Sequence, residues 1–219
     1  MVWTIAHRGD SENFPDNSYE AFHSAVKKGF DMIELDIQLS KDKILYIYHD
    51  TIVESYLTET LSLERLKQLD STILSLEEFF RIKDINQVKV YLDIKGNNIG
   101  ICESLHLFLQ DKKRDINLTN IYIASFNVLM IQSLHNLCPR GYQLGIILES
   151  LLPWRYFSQF VDELQLSFIS LHWTMLDHNM ISQLQNCQVK VFTYTCKDKV
   201  ILSYMNRFQL NGIVANFLF

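Results

Sequence analysis

Two periodicities take turns along this chain. Short runs of alternating or β-branched apolar residues predict strands at Trp3–His7, Asp31–Gln38, Lys43–His49, Lys89–Ile94, Ile121–Ser125, Tyr142–Ile147, Phe168–Leu171, Lys190–Tyr194 and Gly212–Ala215. Between them, apolar residues at helical spacing predict helices at Tyr19–Lys28, Leu63–Leu69, Leu76–Arg81, Ile101–Lys112, Val128–Asn136, Tyr156–Gln165, Met180–Asn186 and Lys199–Arg207. Strand followed by helix, about eight times over, predicts a parallel sheet closed into an α/β (β/α)8 TIM barrel rather than left open. No long linker or low-complexity tract interrupts the pattern, so residues 1–219 read as a single domain.

The first helix is punctuated by its sequence. Asn17 is the predicted N-cap with Glu20 as its capping-box partner, and Lys27-Lys28-Gly29 supplies a basic last turn and a stop. Ala21, Phe22, Ala25 and Val26 form the apolar stripe between them.

The strand Ile33-Glu34-Leu35-Asp36-Ile37 breaks the rule for a strand covered on both sides, which should be apolar almost throughout. Alternation puts Glu34 and Asp36 on one face and the aliphatic residues on the other. In Val90-Tyr91-Leu92-Asp93-Ile94-Lys95 the same argument pairs Asp93 with Lys95. Carboxylates aimed together into a barrel repel one another and lose hydration unless a positive charge sits among them. Hard oxygen donors of this kind suit one divalent cation, Mg2+ or Ca2+. His7, Glu34, Asp36, Asp93 and Lys95 all fall late in their strands, at the end where such barrels carry their active groups. His7 and His49 can give or take protons at neutral pH, one for the nucleophile and one for the leaving group. The planar fork of Arg8 suits phosphate oxygens. Trp173, just past a strand end between His172 and His178, is a candidate pocket aromatic.

Composition narrows the partners. At 219 residues, with 48% hydrophobic and 12% aromatic residues, the chain has enough apolar material for a large core. A net charge of −5 argues against a nucleic-acid partner, since phosphate neutralisation needs a basic face. No apolar run approaches the roughly 20 residues of a membrane span. The start Met1-Val2-Trp3-Thr4 lacks the basic stretch and following apolar run expected of a signal peptide. Cys102, Cys138, Cys187 and Cys196 are scattered without a Cys-x-x-Cys pair, as expected of reduced thiols in a cytoplasmic protein.

The order Ile5-Ala6-His7-Arg8-Gly9, then Pro15-Asp16-Asn17, Glu34-Leu35-Asp36 and His49-Asp50, resembles the glycerophosphodiester phosphodiesterase family. The resemblance spans most of the chain and is concentrated in residues 5–50 and 76–96. It implies metal-dependent hydrolysis of glycerophosphodiesters, small-molecule substrates, to glycerol 3-phosphate and an alcohol. It makes His7 and His49 the acid–base pair, Glu34, Asp36 and Asp93 the metal ligands, and Arg8 and Lys95 the phosphate contacts. Val191-Phe192-Thr193 resembles a Val-Trp-Thr strand whose aromatic lines the pocket, which assigns Phe192 to substrate binding. Two rivals share the motif set: a phospholipase D-like enzyme acting on lysophospholipids, and a catalytically silent phosphodiester-binding protein. The chain departs from the family pattern in having Asp93 where glutamate is usual, and in ending its last strand on Ala215-Asn216 rather than threonine-aspartate.

Overall fold

A computed structural model describes residues 2–138, 141–150 and 153–219. Eight parallel strands run in chain order: β1 (Trp3–Ala6), β2 (Met32–Leu39), β3 (Lys89–Ile94), β4 (Ile121–Ser125), β5 (Gln143–Leu148), β6 (Phe168–His172), β7 (Lys190–Cys196) and β8 (Gly212–Ala215). Each pairs with its neighbour in sequence. The barrel closes where β1 pairs with β8, Trp3 opposite Gly212, and with β2, Ile5 opposite Met32. The helices surround it: α1 (Tyr19–Lys28), α2 (Leu63–Leu69), α3 (Leu76–Phe80), α4 (Gly100–Lys112), α5 (Val128–Leu137), α6 (Trp154–Glu163), α7 (His178–Asn186) and α8 (Lys199–Met205). Among the described residues no helix is long and apolar enough to cross a membrane.

Strand alternation builds two cores. Ile33, Leu35 and Ile37 of β2, with Val90, Leu92 and Ile94 of β3, face outward into the layer shared with the helices. Ile5, Met32, Tyr91, Tyr122, Phe168, Phe192 and Val214 fill the barrel interior. Its aromatic rings interlock, with Phe168 and Phe192 centroids 4.9 Å apart and Tyr91 meeting Phe168 edge-on at 5.3 Å. Each ring buried this way contributes on the order of 1.5–3 kcal/mol. Room for them comes from glycine: a Cβ on Gly145 would lie 2.6 Å from the Phe168 ring.

The run Lys43–His49, read as one more strand of the alternating series, is instead a short strand, Leu45–Ile47, antiparallel to β2, with Ile37 opposite Ile47. The connection at 40–44 is far too short to cross back over the sheet, so only an antiparallel return is open to it. This excursion has a small core of its own in Tyr46, Val53, Leu66 and Ile73. It delivers His49 to the open end of the barrel, where the Tyr48 N–H donates to Asp36 O.

The cap of α1 also differs from expectation. Ser18, not Asn17, is the N-cap, and its Oγ accepts from the Ala21 N–H at 3.2 Å. Asn17 lies just outside the helix in the left-handed region, φ 59°, a conformation asparagine tolerates better than most residues. Its side chain is thereby turned away from the helix and toward β2.

Candidate active site

The site lies at the C-terminal ends of the strands. β1 ends at Ala6, and His7 donates its backbone N–H to Ala215 O at 2.9 Å. Arg8 and Gly9 then take positive φ, 56° and 82°. Glycine is required at the second position because a Cβ there would come within 2.7 Å of the α1 backbone at Ala21. The turn points the Arg8 N–H at Glu34 Oε2, 2.8 Å away.

Parallel register places Glu34 beside Tyr91 and Asp36 beside Asp93. Carboxylate oxygens of Glu34, Asp36 and Asp93, all three residues buried, lie within 4.8 Å of one another. Lys95 Nζ sits between two of them, 2.6 Å from Asp93 Oδ2 and 3.0 Å from Asp36 Oδ1. On the other side, Arg8 Nε is 3.0 Å from Asp36 Oδ2, close enough for an ion pair though not aligned for a hydrogen bond. Arg8 Nη1 donates to Asp16 at 2.9 Å. Asn17 Nδ2 donates to Asp36 Oδ2 at 2.8 Å.

These environments push the three acids apart. Burial raises Glu34 well above the usual carboxylate range, and the neighbouring Asp36 and Asp93 add to the rise. Burial also raises Asp93, to about 7, against the pull of Lys95. Asp36 is buried too, but Lys95, Arg8 and the Asn17 hydrogen bond outweigh the desolvation and lower it. Two partner cations therefore do not satisfy three carboxylates. One buried oxygen, Asp93 Oδ1, has no hydrogen-bond partner among the described residues. A hard divalent cation held by Glu34, Asp36 and Asp93 fits both the orphaned oxygen and the excess of negative charge.

The histidines face the same cavity from different depths. His7 Nδ1 lies 2.9 Å from Asn216 Oδ1; since that oxygen only accepts, Nδ1 carries the proton and Nε2 keeps its lone pair. Burial and the adjacent Arg8 charge lower the His7 pKa to about 4, so the ring is neutral at pH 7. His49 stands at the mouth, its side chain 42% exposed, with Nδ1 2.7 Å from Asp50 Oδ1. The cavity between them has a volume of about 370 Å3.

The structure thus brings His7, Arg8, Glu34, Asp36, His49, Asp93 and Lys95 together around one cavity. It does not bring Trp173 or Phe192 there. After His172 the chain turns into a short 3-10 segment, Trp173–Met175, and the indole packs edge-on against Tyr204 of α8, 5.8 Å away. Phe192 is fully buried in the barrel interior. On that strand the aromatic that reaches the cavity, which Tyr91 of β3 also lines, is Tyr194, two residues later, with its hydroxyl donating to Leu148 O at 3.1 Å. Phe126 joins it, the two rings edge-on at 6.1 Å, with Lys95 Nζ 5.4 Å above the Phe126 ring. Sequence reasoning also missed Asn17 and Asn216. The period of β7 pointed equally to Tyr194, and Asn216 directly follows the last barrel strand, where polar residues enter such sites.

Known proteins resemble this chain over nearly its whole length. The family described as "Glycerophosphoryl diester phosphodiesterase family" matches residues 7–218. A glycerophosphodiester phosphodiesterase of Caldanaerobacter subterraneus is 29% identical over 237 residues, spanning 97% of this chain and 93% of the relative. The crystal structure of the Thermotoga maritima glycerophosphodiester phosphodiesterase superimposes with a TM-score of 0.82 at 21% identity, covering 99% of this chain and 95% of that one. An Oleispira antarctica phosphodiesterase, solved in complex with the product sn-glycerol-3-phosphate, gives 0.85 at 22% identity, covering 99% and 93%. At these identities the two structures establish a shared barrel fold.

Proposed function

The chain belongs to the glycerophosphodiester phosphodiesterase family and is a phosphoric diester hydrolase; from that premise we propose that it cleaves glycerophosphodiesters to glycerol 3-phosphate and an alcohol, with one divalent cation, Mg2+ or Ca2+, held by Glu34, Asp36 and Asp93. The observation that carries the reading is the buried triad of carboxylates on one inner face, flanked by Arg8 and Lys95 and viewed by two histidines from different depths. The product assignment draws support from the Oleispira relative, whose complex holds that product.

A cation held by Glu34, Asp36 and Asp93 would supply Lewis-acid polarisation of a phosphate oxygen and offset negative charge there. Arg8 and Lys95 hold the remaining oxygens. His7, neutral and presenting Nε2, takes a proton from the attacking water as the new O–P bond forms. His49, with Nδ1 anchored on Asp50, gives its Nε2 proton to the departing alkoxide as the P–O bond to the alcohol breaks. Its place at the mouth puts the leaving alcohol on the solvent side.

Glycerophosphocholine turnover after chelation, and again after adding back Mg2+, Ca2+ or Mn2+, tests the proposal. Activity lost and restored with free choline and glycerol 3-phosphate as products is the expected result. Full activity in chelator, or phosphocholine as a product, would overturn it.

A further inference from the structure

The His49 ring makes one hydrogen bond among the described residues, from Nδ1 to Asp50, the next residue along and itself 68% exposed. That contact sets the tautomer, but it travels with the loop and does not decide where the ring stands above the carboxylates. The position of the ring has to come through the backbone of residues 48–50. One tie is the Tyr48 N–H, which donates to Asp36 O at 3.1 Å. The others converge on a single side chain of β2.

Gln38 shares the inner face of β2 with Glu34 and Asp36, since Ile33, Leu35, Ile37 and Leu39 all belong to the outer core. It stands about 7 Å further along the strand than Asp36. The register with β3 has already ended there, at Ile37 opposite Ile94, and Gln38 lies opposite Tyr46 of the antiparallel return. Its amide is buried and fully paired. Nε2 donates to Tyr48 O at 2.9 Å and to Asp50 O at 2.7 Å, the two carbonyls that flank His49. Both only accept, so the nitrogen faces them and the oxygen faces away. Oε1 accepts from the buried hydroxyls of Tyr46, at 2.9 Å, and Thr58, at 2.8 Å. One amide thus grips the loop on both sides of His49, and two hydroxyls keep the amide from turning.

We propose that Gln38 is the positioning residue for proton transfer to the leaving alcohol: by clamping Tyr48 O and Asp50 O it holds His49 at a set place relative to the carboxylates of the same strand. The proposal rests on the reading of His49 as the group that protonates the departing alkoxide. A strand is a stiffer reference than a loop, and Gln38 transmits its position to the loop. Proton transfer needs donor and acceptor within hydrogen-bond reach as the P–O bond breaks, so a loop displaced by about 1 Å loses rate wherever the leaving group requires its proton. A leaving group that departs as a stable anion has no such requirement.

The experiment compares kcat on glycerophosphocholine with kcat on the glycerophosphodiester of para-nitrophenol, whose phenolate leaves unprotonated, in the ion-loaded wild-type enzyme, His49→Ala, Gln38→Met and Gln38→Glu. Methionine keeps the volume and loses all four hydrogen bonds. Glutamate keeps an acceptor for Tyr46 and Thr58 but puts an oxygen, unable to donate to both carbonyls, where the nitrogen was; it decides the matter if the methionine variant does not fold. His49→Ala, the reference, should lower the choline-to-nitrophenyl ratio of kcat by about 10²-fold. The Gln38 variants should lower the same ratio by about tenfold or more, which a general loss of structure would not do because it slows both substrates alike. An unchanged ratio in folded Gln38 variants, beside a lowered one in His49→Ala, overturns the role of Gln38 alone. An unchanged ratio in His49→Ala overturns the acid assignment on which this one rests.

Discussion

Asn216 accepts a hydrogen bond from His7 Nδ1 at 2.9 Å across 209 positions of sequence. The contact joins the first and last barrel strands at the mouth and fixes which imidazole nitrogen is left without a protein partner in the cavity. Asn216→Leu should leave the ring free to change tautomer and lower kcat by about tenfold or more, the scale expected when the partner that orients an active histidine is lost. Asn216→Asp places a carboxylate on Nδ1 and should shift the acid limb of the kcat/KM profile upward from its position near the lowered His7 pKa of about 4. An unmoved limb in the aspartate variant would mean that His7 does not set it.

His7→Ala and His49→Ala should each reduce kcat by at least about 10²-fold, the low end for loss of a general acid or base. Neither side chain fills the core, so circular dichroism and melting should resemble the parent. Near-parental turnover by folded His7→Ala protein would remove that residue from the chemistry.

Calorimetric titration of metal-free protein with Mg2+ or Ca2+ should show a single site that Glu34→Gln abolishes. The glutamine removes the group whose carboxyl burial and the neighbouring aspartates hold up, and with it an oxygen of the buried cluster. Unchanged binding in that variant would place the ion elsewhere.

Phe192 and Tyr194 share a strand face but differ in depth, and their variants should separate accordingly. Phe192→Ala hollows out the barrel interior and should destabilise the protein by about 3–5 kcal/mol. Tyr194→Ala should chiefly raise KM, because its ring lines the cavity. A large KM effect with normal stability for Phe192→Ala would contradict the packing described.

Glu78 tests the acid side of stability. Burial opposes its ionisation, but hydrogen bonds from Lys67 and Ser75 prevail and lower its pKa from 4.5 to about 2. A carboxylate depressed in the folded state contributes stability above its unfolded pKa and loses it as pH falls toward the folded value. The melting-temperature gap between parent and Glu78→Gln should therefore be full at pH 7 and close between about 4.5 and 2. A gap that persists at pH 2 would show that the contribution is not ionic.

Periodicity carried most of the fold because a strand buried on two faces has little latitude: charges at Glu34, Asp36 and Asp93 could only mean the inner face at a barrel end. The same residues made the site legible. What alternation cannot supply is depth. Phe192 and Tyr194 are equivalent by period two, and only the stacking of Phe168 against Phe192 decides which belongs to the core. Nor does it give sheet direction at short range, so the five-residue return to Leu45–Ile47 passed for another parallel strand. Asn17 satisfied the rules for a helix cap, Glu20 included, whereas the neighbouring Ser18 has the right side chain for a cap but no capping-box partner at Ala21. Which of two adjacent capping residues turns outward depends on the aspartate waiting across the loop, a partner nineteen positions away that no local pattern contains.

The ammonium of Lys95 sits between Asp36 and Asp93 as their internal counter-ion. A cation held by those carboxylates would compete with it for the same oxygens, and a lysine so displaced would turn to the cavity that it already lines. Loading a metal and arming an anion-binding group would then be one event. Because such coupling is reciprocal in free energy, a phosphate analogue that draws Lys95 outward tightens the grip on the ion by the same factor that the ion tightens the grip on phosphate.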